Sequence, residues 1–288
     1  RDVEDGRVVE ELELLPELVV ELLGEVRPAP FHQIPFVRHD DHAAPGVLGF
    51  AGDRRVLIGR PFGCVHHQYR DVGLLARAAR DAAVEVVLHN MPQGDAQRNE
   101  RGTACLPGRE QRFRDDLERA IVYARTARCA SLHLMAGVVP AGAERALLHA
   151  TYVANLRYAA RRLQEEGLRL LIEPLSERTV ANCFLRSSAQ AAQVLEEVGA
   201  RNAALQYDLF HMQIMEGNLA ATIEHLLPRI GHVQIADVPG RHEPGSGEIN
   251  FAFMFKHVDA IGYAGWVGCE YNPAGGTVEG LKWAQPYL

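Results

Sequence analysis

Gly167-Leu-Arg-Leu-Leu-Ile-Glu-Pro174 is the stretch whose reading decides the fold. A turn glycine opens it, a short leucine-rich run ending in Ile172 follows, and a carboxylate stands where proline ends the run. An apolar run of this length, interrupted only by Arg169 and bounded by Gly and Pro, reads as a short strand of a helix-covered parallel sheet. The segment before it, residues 144–166, has helical periodicity. The segment after it turns helical again at Ser187, a cap-type residue, and runs to Val198 with Gly199 as its stop.

The same unit recurs on either side. Upstream, residues 72–83 read as a helix, 84–90 as a strand, 110–128 as a helix and 131–136 as a strand. Downstream, 203–208 is a strand, 219–227 a helix stopped by Pro228, 231–236 a strand, 250–261 a helix capped by Asn250, and 265–270 a last strand. Six strand–helix units in succession require a parallel sheet covered by helices. No glycine-rich phosphate loop follows any of these strands, which disfavours an open doubly wound sheet. The expected architecture is α/β, a (β/α)8 TIM barrel, in one domain overall. Residues 71–288 supply the regular units. Residues 1–70 form a divergent segment in place of the usual first two strands, with candidate strands at 31–37 and 54–58 and a candidate helix at 8–23 broken by Pro16.

Bulk properties narrow the class of partner. The 288 residues are 47% hydrophobic and 23% charged, with a formal net charge of −7. An acidic balance argues against nucleic acid or an anionic membrane as partner. The Leu/Val-rich stretch 8–26 is interrupted by six glutamates, unlike a membrane span or a signal peptide. Five cysteines, spaced widely and without a CxxC pair, read as reduced thiols in a cytoplasm. The chain opens at Arg1 and not Met, which is read as a trimmed or processed start. Self-association into a homo-oligomer is left open.

Four strands end in a polar residue after an apolar run: at Glu173, Asp208, Gln234 and Glu270. In a barrel the C-terminal strand ends share one face, where active sites are built. One such carboxylate is ordinarily a helix cap or an arginine partner; four polar ends in successive units are not. Three converging carboxylates repel and raise one another's pKa unless a cation joins them. Four oxygen donors suit a hard divalent ion, Mg²⁺ or Mn²⁺. Two remaining coordination places match adjacent substrate oxygens, and a glutamate on either side is placed to move a proton between neighbouring carbons.

Further motifs then carry a family resemblance. Glu173-Pro-Leu, Gln206-Tyr-Asp-Leu-Phe-His211, His232-Val-Gln-Ile-Ala-Asp237, Arg241-His-Glu-Pro-Gly and Gly268-Cys-Glu-Tyr271 resemble the hydroxypyruvate isomerase family of xylose-isomerase-like barrels. So do His89-Asn90 with Gly94-Asp95, and Pro107-Gly-Arg-Glu110. The resemblance runs over about residues 71–288. It implies metal ligation by Glu173, Asp208, Gln234 and Glu270, with Glu173 and Glu270 also the catalytic acid/base pair. The implied reaction interconverts hydroxypyruvate and tartronate semialdehyde through an enediol, on a small sugar-acid substrate.

Softer candidates surround that core. His211 resembles the family's substrate-side histidine. Arg241 or His242 is placed to hold a substrate carboxylate by charge-assisted bonds. His89 and His133 lie at strand ends and either touch substrate or serve the core. Glu248 and Asn250 read as loop and cap residues, and Cys269 points away from the barrel centre by strand alternation. The pattern His39-Asp-Asp-His42 with His66-His67 invites a second metal reading, which its loop setting weakens. Residues 1–70 lack the family's usual first strand and the second strand's aromatic-Pro turn; a divergent extension or a frame-shifted reading would account for this. Three rival functions remain. The first is 2-oxo-tetronate isomerase, suggested by Met135-Ala-Gly-Val-Val-Pro-Ala-Gly142. The second is apurinic endonuclease chemistry, disfavoured by acidic charge and few matching histidines. The third is a degenerate, non-catalytic barrel.

Overall fold

The computed structural model describes residues 46–49, 55–58, 72–81, 85–95, 100–276 and 279–287. The candidate strand at 31–37, the candidate helix at 8–23 and the His39/His42/His66/His67 pattern lie outside the described residues. The strands are β1 (Gly46–Gly49), β2 (Arg55–Ile58), β3 (Leu88–Asn90), β4 (Ser131–His133), β5 (Arg169–Ile172), β6 (Ala203–Asp208), β7 (Ile230–Ile235) and β8 (Trp266–Cys269). Helices α1 (Val72–Asp81), α2 (Glu110–Ala127), α3 (Arg145–Glu165), α4 (Ser188–Val198), α5 (Leu209–Met215), α6 (Leu219–Leu226) and α7 (Phe251–Ala260) alternate with them. A 3-10 segment, Glu279–Tyr287, follows β8. No helix among the described residues is long and apolar enough to cross a membrane.

The sheet has eight strands in the order β1-β2-β8-β7-β6-β5-β4-β3. From β3 to β8 every neighbouring pair is parallel, and β2 adds parallel to the far edge of β8. β1 runs back antiparallel on β2, with Gly46 opposite Ile58. The six units β3 to β8 therefore curl as the sequence pattern requires. The N-terminal segment contributes a hairpin where two parallel strands with crossover helices are usual. Among the described residues no pairing joins β1 to β3.

Local chemistry explains the element boundaries. Ser187 caps α4 by accepting the Gln190 N–H at 3.1 Å, and Gly199 ends it in the left-handed conformation that glycine adopts without Cβ strain. Asn250 caps α7 through the Phe253 N–H. The short helix α5 was not anticipated from the sequence. It starts because Asp208, the last residue of β6, accepts the Phe210 N–H at 2.8 Å and turns the chain directly into a helix.

Strand alternation divides the side chains into two layers. Leu132, Leu170, Ile172, Leu205, Tyr207, Val233, Ile235 and Cys269 point outward into one large core against the helices. The inward positions change character along the strands. Near the N-terminal ends, Leu88 and Leu171 are buried with Val87, and Ala204 and Trp266 pack on them. Gly231 completes this layer; a Cβ there would sit 2.8 Å from the Ala204 Cβ and 2.9 Å from Leu171 Cδ2. One register step higher, the inward residues are polar.

Candidate active site

That upper layer holds Asn90, His133, Glu173, Gln206, Asp208, His232, Gln234 and Glu270, in chain order from β3 to β8. Each lies two positions beyond an inward residue of its own strand or at the strand's C-terminal end, except His232, which follows Gly231 directly because the β6–β7 register shifts there. This register, and no local motif, makes them neighbours. His133 Nδ1 meets Asn90 Oδ1 at 2.9 Å, and its Nε2 lies 3.7 Å from Glu173 Oε2. The Gln206 side chain donates to Gln234 Oε1 at 2.6 Å. Gly268 leaves room for His232, whose Nε2 would lie 2.9 Å from a Cβ at that position.

Glu173, Asp208 and His211 offer ligand atoms that all lie within 4.8 Å of one another, and all three residues are buried. Helix α5 supplies His211: starting at the end of β6, it returns residue 211 one turn above Asp208, with Nε2 3.6 Å from Asp208 Oδ2. Arg241 closes the opposite flank. Its Nη2 donates to Glu270 Oε2 at 2.8 Å and lies 3.6 Å from Asp208 Oδ2, while its Nε donates to the Glu270 carbonyl at 3.3 Å. The guanidinium also lies over the Phe210 ring, 4.9 Å from its centroid.

The loop carrying Arg241 is organised by a carboxylate that the sequence did not single out. Asp237 is fully buried and accepts the backbone N–H groups of Val238, Gly245, Gly247 and Ile249, at 2.8 to 3.0 Å. Its own carbonyl accepts the Arg241 N–H, and Arg241 sits at φ 56°, a left-handed backbone for a bulky residue. Asn272 N–H donates to the Arg241 carbonyl at 2.8 Å. The guanidinium is thus aimed inward by a fixed backbone.

Burial dominates the electrostatics. Loss of water pushes the Glu173 carboxyl well above the usual range, and the Glu270 and Asp208 charges push it further; Arg241 and the Gln206 amide pull the other way. Burial raises Glu270 to about 7 even with Arg241 beside it. Asp208 is also raised by burial, against Arg241 and the N–H groups of Phe210 and His211. Burial lowers His133 to about 3. It lowers His211 well below the imidazole range, with Arg241 and His133 adding to the effect.

Three buried carboxylates thus face one guanidinium. Glu173 Oε1 and Asp208 Oδ2 are buried without a hydrogen-bond partner among the described residues. An oxygen-rich, under-neutralised donor set of this kind fits a hard divalent cation.

The other expected residues are distributed as follows. Glu270 stands on Arg241, outside the tight Glu173/Asp208/His211 group, and Gln234 Oε1 is taken by Gln206. His89 is not gathered with them. Its neighbours Leu88 and Asn90 face inward, so its ring points to the helix layer, with Nε2 3.2 Å from the Ala120 carbonyl and an edge contact to Tyr123. His242 is bonded through Nδ1 to the Asn272 carbonyl at 2.7 Å. Glu248 accepts from Gln213 beside a separate outer cavity of about 230 Å³. Gln206 and His232 had no role assigned from the sequence, although their two-residue offset from Asp208 and Gln234 puts them on the same strand face. For Asp237 no sequence signal distinguishes a loop anchor from a surface acid.

Comparison with known proteins gives this arrangement its context. The family model described as xylose isomerase-like TIM barrel matches residues 60–287. The hydroxypyruvate isomerase of Escherichia coli (strain K12) is 45% identical over 217 residues, covering 75% of this chain and 84% of that protein. The 2-oxo-tetronate isomerase of Cupriavidus necator is 43% identical over 221 residues, covering 76% and 85%. A crystal structure from Brucella melitensis, described as an AP endonuclease of family 2, superposes with a TM-score of 0.73 at 43% identity, covering 75% of this chain and 84% of that one. With the curled sheet and its strand-end carboxylates already in place, these matches show that the chain belongs to the xylose isomerase-like TIM barrel family, in the group of the hydroxypyruvate isomerases.

Proposed function

We propose that this isomerase interconverts hydroxypyruvate and tartronate semialdehyde through an enediol. The observation that carries the reading is the pair of buried glutamates, Glu173 directly after β5 and Glu270 after β8, both raised above the usual carboxylate range by burial, Glu270 to about 7, with Asp208 between their strands. A carboxyl poised near neutrality can both take and return a proton, which a ketose–aldose shift requires. One glutamate removes a proton from the hydroxymethyl carbon, and a proton is delivered to the neighbouring carbon. The hydroxyl and carbonyl oxygens exchange roles, so the substrate is neither oxidised nor reduced overall. Microscopic reversibility gives the same pair the reverse reaction.

Glu173, Asp208, Gln234 and Glu270 would hold a divalent cation, Mg²⁺ or Mn²⁺, which when bound would supply Lewis-acid stabilisation of charge on the substrate oxygens. Arg241, fixed by its loop, is placed to orient a carboxylate, and its planar fork suits two oxygens at once. The residues 71–288 barrel carries every one of these groups. A four-carbon acid is the second reading, supported by the 43% identity to a 2-oxo-tetronate isomerase.

Purified protein incubated with hydroxypyruvate in deuterated water, with Mg²⁺ or Mn²⁺, is expected to place deuterium on carbon. The ratio of kcat/KM for hydroxypyruvate and 2-oxo-tetronate then decides between the acids. Absence of exchange with either acid and either metal would overturn the isomerase reading in favour of a non-catalytic barrel.

A further inference from the structure

Three of the four strand-end donors, Glu173, Asp208 and Glu270, are carboxylates, which present an oxygen whichever way they turn. Gln234 is the exception. Its side chain ends in one oxygen and one NH2 group, so its orientation decides whether it offers a cation a lone pair or protons. Strand pairing sets a second buried carboxamide beside it. Gln206 is 2% exposed and lies on the inward face of β6, two residues before Asp208, which pairs with Gln234 on β7. Gln206 Nε2 lies 2.6 Å from Gln234 Oε1. On its other flank Gln234 faces its β8 partner Gly268, where a Cβ would come within 3.2 Å of Gln234 Cγ.

Two amides alone can bond in either direction, each serving as donor or acceptor. The neighbour from β5 removes that ambiguity. Ile172 pairs with Leu205 and both point outward, so Glu173 and Gln206, the next residue of each chain, both point inward side by side. An ionised carboxylate only accepts, so the end of Gln206 turned toward Glu173 is its NH2 group; the Gln206 amide accordingly favours the charged form of Glu173. With that NH2 group fixed, the atom it meets on Gln234 must be the oxygen. Gln206 Oε1 is left buried without a hydrogen-bond partner among the described residues. An amide oxygen has two lone pairs: one takes the Gln206 N–H, and the other is left for a cation.

We propose that Gln206 is a positioning residue of the cation site, which holds the Gln234 carboxamide with its oxygen toward the ion and acts only through Gln234. The ligand half of this statement rests on the metal reading proposed above; the direction of the amide pair does not. Outer partners of this kind fix a ligand before the ion arrives, and their loss costs about tenfold to a hundredfold in metal affinity.

Nuclear magnetic resonance of ¹³C,¹⁵N-labelled full-length protein in chelator tests the amide direction. A coupling across the hydrogen bond is expected from Gln206 Nε2 to Gln234 Cδ. The reverse coupling, from Gln234 Nε2 to Gln206 Cδ, or no coupling in either direction, would overturn the proposal. Calorimetric titration with Mg²⁺ and with Mn²⁺ tests the ligand half. Gln206→Leu should weaken the Kd about tenfold or more, and Gln234→Leu at least as much. Because Gln206 acts through Gln234, the double variant should bind within a factor of about three of Gln234→Leu alone. Losses that multiply in the double variant, or a Gln206→Leu affinity within about threefold of the unsubstituted protein, would overturn the positioning role. Protein that binds neither ion would refute the metal reading and the ligand half with it. The amide direction would still be read from the metal-free spectrum of the unsubstituted protein, which no folding failure of a variant affects.

Discussion

The lower and upper halves of the sheet interior are built by the same strands, yet they follow opposite rules. Below, Leu88, Leu171, Ala204, Gly231 and Trp266 fill the space by size, with glycine where even a methyl group would clash. Above, Glu173, Gln206, Asp208, His232, Gln234 and Glu270 bury charge and amides, some of them without partners. The lower layer stabilises by removing apolar surface from water. The upper layer is destabilising by itself, because buried carboxylates lose hydration that Arg241 only partly replaces. Stability and chemistry are thus separated along the strand axis by a single register step, and substitutions in the two layers should have separable effects.

The largest expected effect lies above. Glu173→Gln and Glu270→Gln should each lower kcat/KM about a thousandfold or more, equivalent to about 4 kcal/mol of barrier. In the chelated protein the thermal midpoint of Glu173→Gln should stay level or rise, since a buried carboxylate is removed, whereas that of Glu270→Gln should fall, since Arg241 loses its carboxylate partner at 2.8 Å. Near-full turnover in either variant would break the two-glutamate mechanism. Below, the pattern should invert: Leu171→Ala should cost about 3 kcal/mol in denaturant unfolding while kcat/KM holds within about threefold. If activity falls in step with stability, the layers are not independent.

A divalent ion should reverse the cost of the upper layer. Adding Mn²⁺ or Mg²⁺ to chelated protein at about a hundred times its Kd should stabilise it by about 2.7 kcal/mol, and Asp208→Asn should abolish the gain. Calorimetric melting with and without chelator reads this directly. The smallest effect belongs to neither layer. Ser187→Ala removes the α4 cap and should cost about 1 kcal/mol with turnover unchanged, which calibrates the assay for purely structural loss.

Periodicity made the six units from β3 to β8 legible, because glycine, proline and cap residues punctuate them. Ser187 and Asn250 stand as caps where the pattern placed them. The unexpected helix α5 shows where the pattern gives out. Seven residues are too short for a moment to stand out, and the helix depends on Asp208 acting as its cap. His89 shows a second gap, because its side of the strand turns on register, and register is fixed only by pairing with Ser131 and its neighbours. In the N-terminal segment the strand expected at 54–58 is found at Arg55–Ile58, but its antiparallel partner Gly46–Gly49 lies where the sequence showed only glycine turn signals and no strand pattern.

By itself, the sequence determined that polar residues close four successive strands, since apolar runs and their terminators are written locally. Only the tertiary structure decided which of those residues meet: inward facing depends on strand pairing, and the inward aim of Arg241 depends on Asp237 gathering the amide of Val238 beside it and three more, of Gly245, Gly247 and Ile249, from further along its loop. The Ser176 amide, thirty-five residues from His211 in sequence, is likewise brought within 3.2 Å of its ring nitrogen only by the fold.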